Sequence, residues 1–202
     1  MSFKTDNKNV DFGGTTLPVL EPGIYERGTI VAIKKGTKTY NEEVTATIDI
    51  VLANEKGEKH VSQEKSPEED KQSSFFEKML HVLSSFMDKK DLAKAIKTEV
   101  GTFEELQDWL IKLHADHYPK DHKVDFKIEG SVYSGNIFVR LPNFNSKYSI
   151  PFIKSSTNKE IVISFTNSEL KNLAKYKQAK EGNTGSDPDM GGGAITPDKP
   201  GF

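Results

Sequence analysis

A chain of 202 residues, 35% hydrophobic with a mean hydropathy of −0.59, can bury one sizeable core but leaves part of its length in solvent. Its lack of cysteine excludes disulfides, thiolate metal ligands and cysteine nucleophiles, and no apolar run approaches the ~20 residues of a membrane-spanning helix. The net charge of −2 conceals a split: residues 119–180 carry eleven Lys/Arg against five Asp/Glu, a net +6, while residues 64–118 are net −4 and residues 181–202 net −3. This pattern suits an anion-binding body with a tail of opposite sign. With no signal-peptide pattern at the N-terminus, the expectation is a soluble cytoplasmic protein without membrane contact.

In chain order, residues 1–20, with Gly13-Gly14, read as a loosely held arm. A strand is expected over 23–35, where Gly28 permits a bend or bulge, and Lys34, Lys35, Lys38 and Tyr40 follow as a polar loop. Val44, Ala46, Ile48, Ile50 and Leu52 then alternate with Thr45, Thr47, Asp49 and Val51, which predicts a half-buried strand. Asn54-Glu55-Lys56-Gly57 turns it into a third strand over 58–64. The period changes at Ser66-Pro67-Glu68-Glu69, a helix start followed by a stripe of Phe75, Phe76, Met79, Leu80, Val82, Leu83 and Phe86. A short helix is expected over 91–97. The capping box of Thr102 and Glu105 opens another, carrying Leu106, Trp109, Leu110 and Leu113 up to Pro119.

Strand alternation returns with Val124, Phe126 and Ile128, and Ser134-Gly135-Asn136 turns the chain. The returning strand places Ile137, Val139 and Leu141 inward and Phe138 and Arg140 outward. A loop over 142–147 and apolar runs at 148–152 and 161–165 precede a helix capped at Thr166 and Glu169, which fades over 175–180. Beyond Gly182 the composition is that of a flexible tether. The expected class is α+β, mainly β: a five-stranded barrel of the oligonucleotide-binding (OB) type over 21–180. A helical insert (66–119) lies between its third and fourth strands, with a C-terminal helix and a disordered acidic tail (181–202). A generic α+β domain would share this order.

The sequence holds no phosphate-binding Gly-rich loop, no GxGxxG after a strand and no GxSxG, so no enzyme motif guides the reading. His114, His117 and His122, with Asp116 and Asp121, could suggest a metal-dependent hydrolase. Their place at a helix end favours a structural role near exposed carbonyls. Glu42-Glu43 and Glu68-Glu69 read as turn and cap residues. No cofactor is expected. Basic residues interleaved with aromatics are more informative: Tyr25 and Arg27 on one strand face, then Lys34, Lys35, Lys38 and Tyr40, and later Tyr133, Phe138, Arg140, Phe144, Lys147 and Tyr148. Single-stranded nucleic acid needs both kinds, aromatic faces for its bases and cations for its phosphates.

These features together, with a tail holding Asp187, Asp189, Asp198, Pro200 and Phe202, resemble the single-stranded DNA-binding proteins of bacteriophages. The resemblance implies a non-catalytic protein of DNA replication or recombination. It further implies a barrel that binds single-stranded DNA, a tail that recruits replication or recombination proteins, and a capacity to form homo-oligomers. In this chain Lys199 interrupts the tail's acids and Gly201 separates Pro200 from Phe202, so a phage-encoded partner is expected rather than a host one. The alternative expectation is a phage structural or protein-interaction module without nucleic-acid binding, its insert burying Phe75, Phe86 and Trp109 against a partner.

Overall fold

A computed structural model of the chain describes residues 18–40, 42–64, 69–144 and 150–184. The elements are β1 (Gly23–Tyr40), β2 (Glu43–Asn54), β3 (Gly57–Glu64), α1 (Glu69–Ser84), α2 (Lys89–Ala95), α3 (Phe103–His117), β4 (Val124–Tyr133), β5 (Asn136–Arg140), β6 (Ile153–Ser155) and α4 (Asn167–Thr184). The fold is α+β, and its strands form one antiparallel sheet in the order β3-β2-β1-β4-β5, with β6 also pairing β4. The end strands β3 and β5 approach one another but do not pair among the described residues, so the sheet curls without closing.

β1 joins the two halves of the sheet. Its first residues pair with β4, from Gly23 opposite Ile128 to Gly28 opposite Val124, and its later ones with β2, from Thr29 opposite Ala53 to Tyr40 opposite Glu43. The change of partner happens at a bulge between Tyr25 and Gly28, where Arg27 takes a left-handed φ of 54°. The bend expected at Gly28 is therefore present. A Cβ there would lie 2.3 Å from the Phe126 ring and 2.7 Å from the Ala53 carbonyl oxygen, so the strands can approach only at glycine. The strand does not end near Gly36. Lys34, Lys35, Lys38 and Tyr40 belong to β1 rather than to a loop, because the ladder with β2 continues to Tyr40.

The core is built from Ile30, Ile33, Ile48, Ile50, Leu52 and Val61 on the meander, Phe126, Ile128, Phe152 and Ile153 on the second half, and Met79, Leu83, Phe86 and Leu110 from the helices. The alternation expected on β2 holds at Ile48, Ile50 and Leu52. Val44 is 68% exposed, and Thr47 and Val51 on the opposite face are buried. Residues 18–20 are not part of a loose arm: Leu20 is buried, its N–H donates to the Glu58 carbonyl (3.0 Å), and the Glu58 N–H donates to that of Pro18 (2.8 Å).

The helices are held by caps and by polar contacts to strand backbone. Thr102 and Glu105 form the expected capping box of α3, with Glu105 N–H donating to Thr102 Oγ1 at 3.1 Å and Thr102 N–H to Glu105 Oε2 at 3.0 Å. Thr166 and Glu169 do the same for α4. That helix runs to Thr184, four residues past the expected end of the body. Glu169 also pairs with the fully buried Lys127 at 2.9 Å, which fixes α4 across β4. β6 is a short strand that no sequence pattern announced; residues 161–165 form no strand. The residues expected to cap α1 at 66–68 and the tail from 185 onward lie outside the described residues.

Candidate nucleic-acid interface

The β4–β5 hairpin carries the most exposed aromatic of the described residues. Its two-residue turn, Ser134-Gly135, has φ angles of 47° and 78°. Positive φ at both positions matches the natural twist of paired strands, and the turn stays tight. The register sets Glu129 opposite Arg140, Ser131 opposite Phe138 and Tyr133 opposite Asn136. Directly opposed residues of an antiparallel pair share a face, and so do residues two apart on a strand. Tyr133, Phe138 and Arg140 therefore lie on one face, with Tyr133 and Phe138 diagonal neighbours. Tyr133 is 75% exposed and Phe138 43% exposed. The opposite face holds Val132, Ile137 and Val139, which are half-buried.

Arg140 is oriented from beneath. Its Nε donates to Glu129 Oε2 at 3.4 Å, and Asn172 of α4 donates its amide to Glu129 Oε1 at 3.3 Å. Glu129 is buried whereas Arg140 is exposed, so the carboxylate fixes the inner end of the guanidinium. Behind them, Lys78 of α1 is buried, and its Nζ donates to the Leu141 carbonyl at 3.1 Å. Burial, reinforced by the nearby positive charge of Arg140 and opposed by Glu129, lowers the Lys78 pKa to about 7. Sequence reasoning missed Lys78, Glu129 and Asn172. For Lys78 a signal existed: it stands three residues after Phe75 and four before Val82, on the apolar stripe of α1.

Other expected residues are placed differently. Tyr25 does not share an outward face with Arg27. Its ring stacks on Phe126 (centroids 5.3 Å apart), its hydroxyl donates to the Glu21 carbonyl, and the bulge sets Arg27 out of phase. Arg27 is exposed, with its N–H held by Asp125 Oδ1 at 3.0 Å. Asp125 is also bound by Lys154 Nζ at 2.7 Å and by Ser156. Although burial pushes its carboxyl upward, these partners hold it below the ordinary carboxylate value. Phe144 belongs to the core, stacked on His81 (4.0 Å) and edge-on to Phe152, and offers no face to a base. Lys35 pairs with Glu104 (3.3 Å) and Asp108 (2.9 Å) of α3, and Lys38 with Glu64 (2.8 Å). Lys34 is half-buried on β1. The side chain of Tyr40, and all of Lys147, Tyr148, Asp187, Asp189, Asp198, Pro200 and Phe202, lie outside the described residues.

His114 and His122 serve the backbone. His114 Nε2 lies 3.1 Å from the Ile30 carbonyl and His122 Nε2 2.8 Å from that of Ser85, while His117 approaches Asp91 at 4.0 Å. Among the described residues no group of three or more His, Asp or Glu is placed to hold a metal ion. The aromatics of the insert pack within the chain. Phe86 is buried in the core, while Phe75 packs on Phe103 and Phe76 on Trp109, these four rings being half-buried. No helix among the described residues is long and apolar enough to cross a membrane. In comparisons with protein-family models, curated proteins and solved structures, nothing matches the chain.

Proposed function

We propose that this protein is a non-catalytic single-stranded DNA-binding protein of the bacteriophage type, built on an OB-type barrel. The observation that carries this reading is the juxtaposition of exposed Tyr133 and Phe138 with Arg140 on one face of the β4–β5 hairpin. Two ring faces beside an anchored guanidinium suit two bases and an adjoining phosphate. The topology adds support: a three-strand meander, helices, then a hairpin whose first strand returns to a bent β1 is the strand order of an OB barrel. In such barrels the loop between the fourth and fifth strands is a site of oligonucleotide contact, and that loop is the tip of this hairpin. In this reading the acidic tail recruits replication or recombination proteins, and the protein acts in the cytoplasm where phage DNA is copied.

Fluorescence anisotropy with a labelled oligo(dT) tests the proposal. Binding at low salt that weakens as salt rises is expected, because phosphate contacts release counterions. Tyr133→Ala and Phe138→Ala each remove one stacking platform worth ~1–3 kcal/mol, so each weakens binding by roughly 5- to 150-fold without unfolding the protein. Absence of binding at low salt by folded protein would refute the proposal and turn attention to the hairpin as a protein-docking surface.

A further inference from the structure

The base of the hairpin brings together two cations and one carboxylate. Arg140 of β5 contacts Glu129 of β4, and the buried Lys78 of α1 is tied to the carbonyl of Leu141, the residue after Arg140. From α4 it is the uncharged Asn172 that donates to Glu129. The remaining acid of that helix nearby, Glu169, is engaged by Lys127. One turn along α1, His81 is half-buried and its Nε2 accepts from the Phe152 N–H at 3.3 Å, so it sits there as the neutral ring. Glu129 can therefore balance one of the two cations but not both. We infer that Lys78 and Arg140 form a phosphate subsite at the base of the hairpin, at which an arriving phosphodiester makes Lys78 take up a proton from solvent.

This inference rests on the proposed binding of single-stranded DNA and adds to it a ligand group, a site and a proton. The phosphate meets the exposed guanidinium of Arg140. Lys78 acts from behind through its charge, as a positioning and sensing group that does not itself emerge to the surface. Without the anion, burial and Arg140 both oppose the ammonium form, and near neutral pH the amine is about half protonated. A phosphate in place adds a second negative charge to the cluster and restores the proton. Association and protonation are thereby linked in the manner of any binding event that shifts a pKa.

The test measures oligo(dT) affinity from pH 6 to pH 8.5 for the full chain and for Lys78→Met, a variant of similar shape that cannot titrate. Wild-type affinity is expected to fall by about tenfold between pH 6 and pH 8, the change that follows from losing one linked proton across that interval. Lys78→Met should show over the whole range the weaker affinity that wild type reaches above pH 8. Calorimetry in buffers of different ionisation enthalpy should register net proton uptake on binding by wild type and less by the variant. Identical pH profiles and proton uptake for the two proteins would overturn the phosphate subsite while leaving DNA binding intact. No binding by either protein at any pH would overturn both proposals.

Discussion

His81 shows how one residue makes the fold sensitive to acid. Its ring lies flat against Phe144, edge-on to Phe152, and its Nε2 accepts the Phe152 N–H. Burial lowers its pKa to about 4 from an ordinary value of 6.5, so the unfolded chain binds a proton more readily than the folded one. The stability tied to neutral His81 is complete above pH 6.5 and is lost as pH falls through 4, amounting to about 3 kcal/mol at most. Denaturant melts of wild type and His81→Phe should diverge in pH dependence over that window. The variant should be less stable at pH 7, because the Phe152 N–H loses its acceptor, yet flatter towards pH 4. Parallel pH profiles for the two would contradict this assignment. Gly28 makes a second residue-scale case: Gly28→Ala drives a methyl into Phe126 and the Ala53 carbonyl. We expect a loss of ~1–3 kcal/mol or more in urea denaturation, since backbone has to move to make room.

Among the elements, β1 and α3 depend on each other at Ile30. Just beyond the last residue that β1 pairs with β4, and beside the second irregularity at Val31, the Ile30 N–H donates to Tyr118 Oη (3.0 Å) and the Ile30 carbonyl meets His114 Nε2. The end of α3 thus supplies hydrogen bonds that a neighbouring strand would otherwise make. Tyr118→Phe keeps the ring against Phe86 but strands a buried donor, so it should cost ~1–3 kcal/mol of stability. A change under a few tenths of a kcal/mol would show that water or a shifted strand replaces the hydroxyl. The capping boxes of α3 and α4 and the bend at Gly28 were readable from the sequence, because each depends on residues close together in the chain. The long reach of β1 was less so. Lys34 to Tyr40 look polar and loop-like, and only their ladder with β2 makes them strand. β6 is three residues long and exists because β4 offers it an edge.

Across the whole molecule, the sequence gives the net +6 of residues 119–180 but not where those charges end up. Lys127, Arg140 and Lys154 are paired with Glu169, Glu129 and Asp125 of the same span, and Lys180 with Glu21, so the net charge does not by itself tell which cations face a ligand. Tyr25 and Phe144 were legible as aromatics near cations, yet both are spent on packing. Strand periodicity cannot tell an aromatic that covers a core from one that faces water when a bulge or loop intervenes. Phe138 and Arg140 kept their expected outward face, and Tyr133 joins them there, because a regular two-residue turn preserves alternation through the hairpin. That hairpin is the centre of the functional account, and photochemical cross-linking addresses it most directly. An oligonucleotide carrying 5-bromodeoxyuridine should cross-link on irradiation, and peptide mapping should find the adducts at Tyr133 and Phe138. Adducts confined to other residues, or none under conditions where a known binder of single-stranded DNA is labelled, would contradict it.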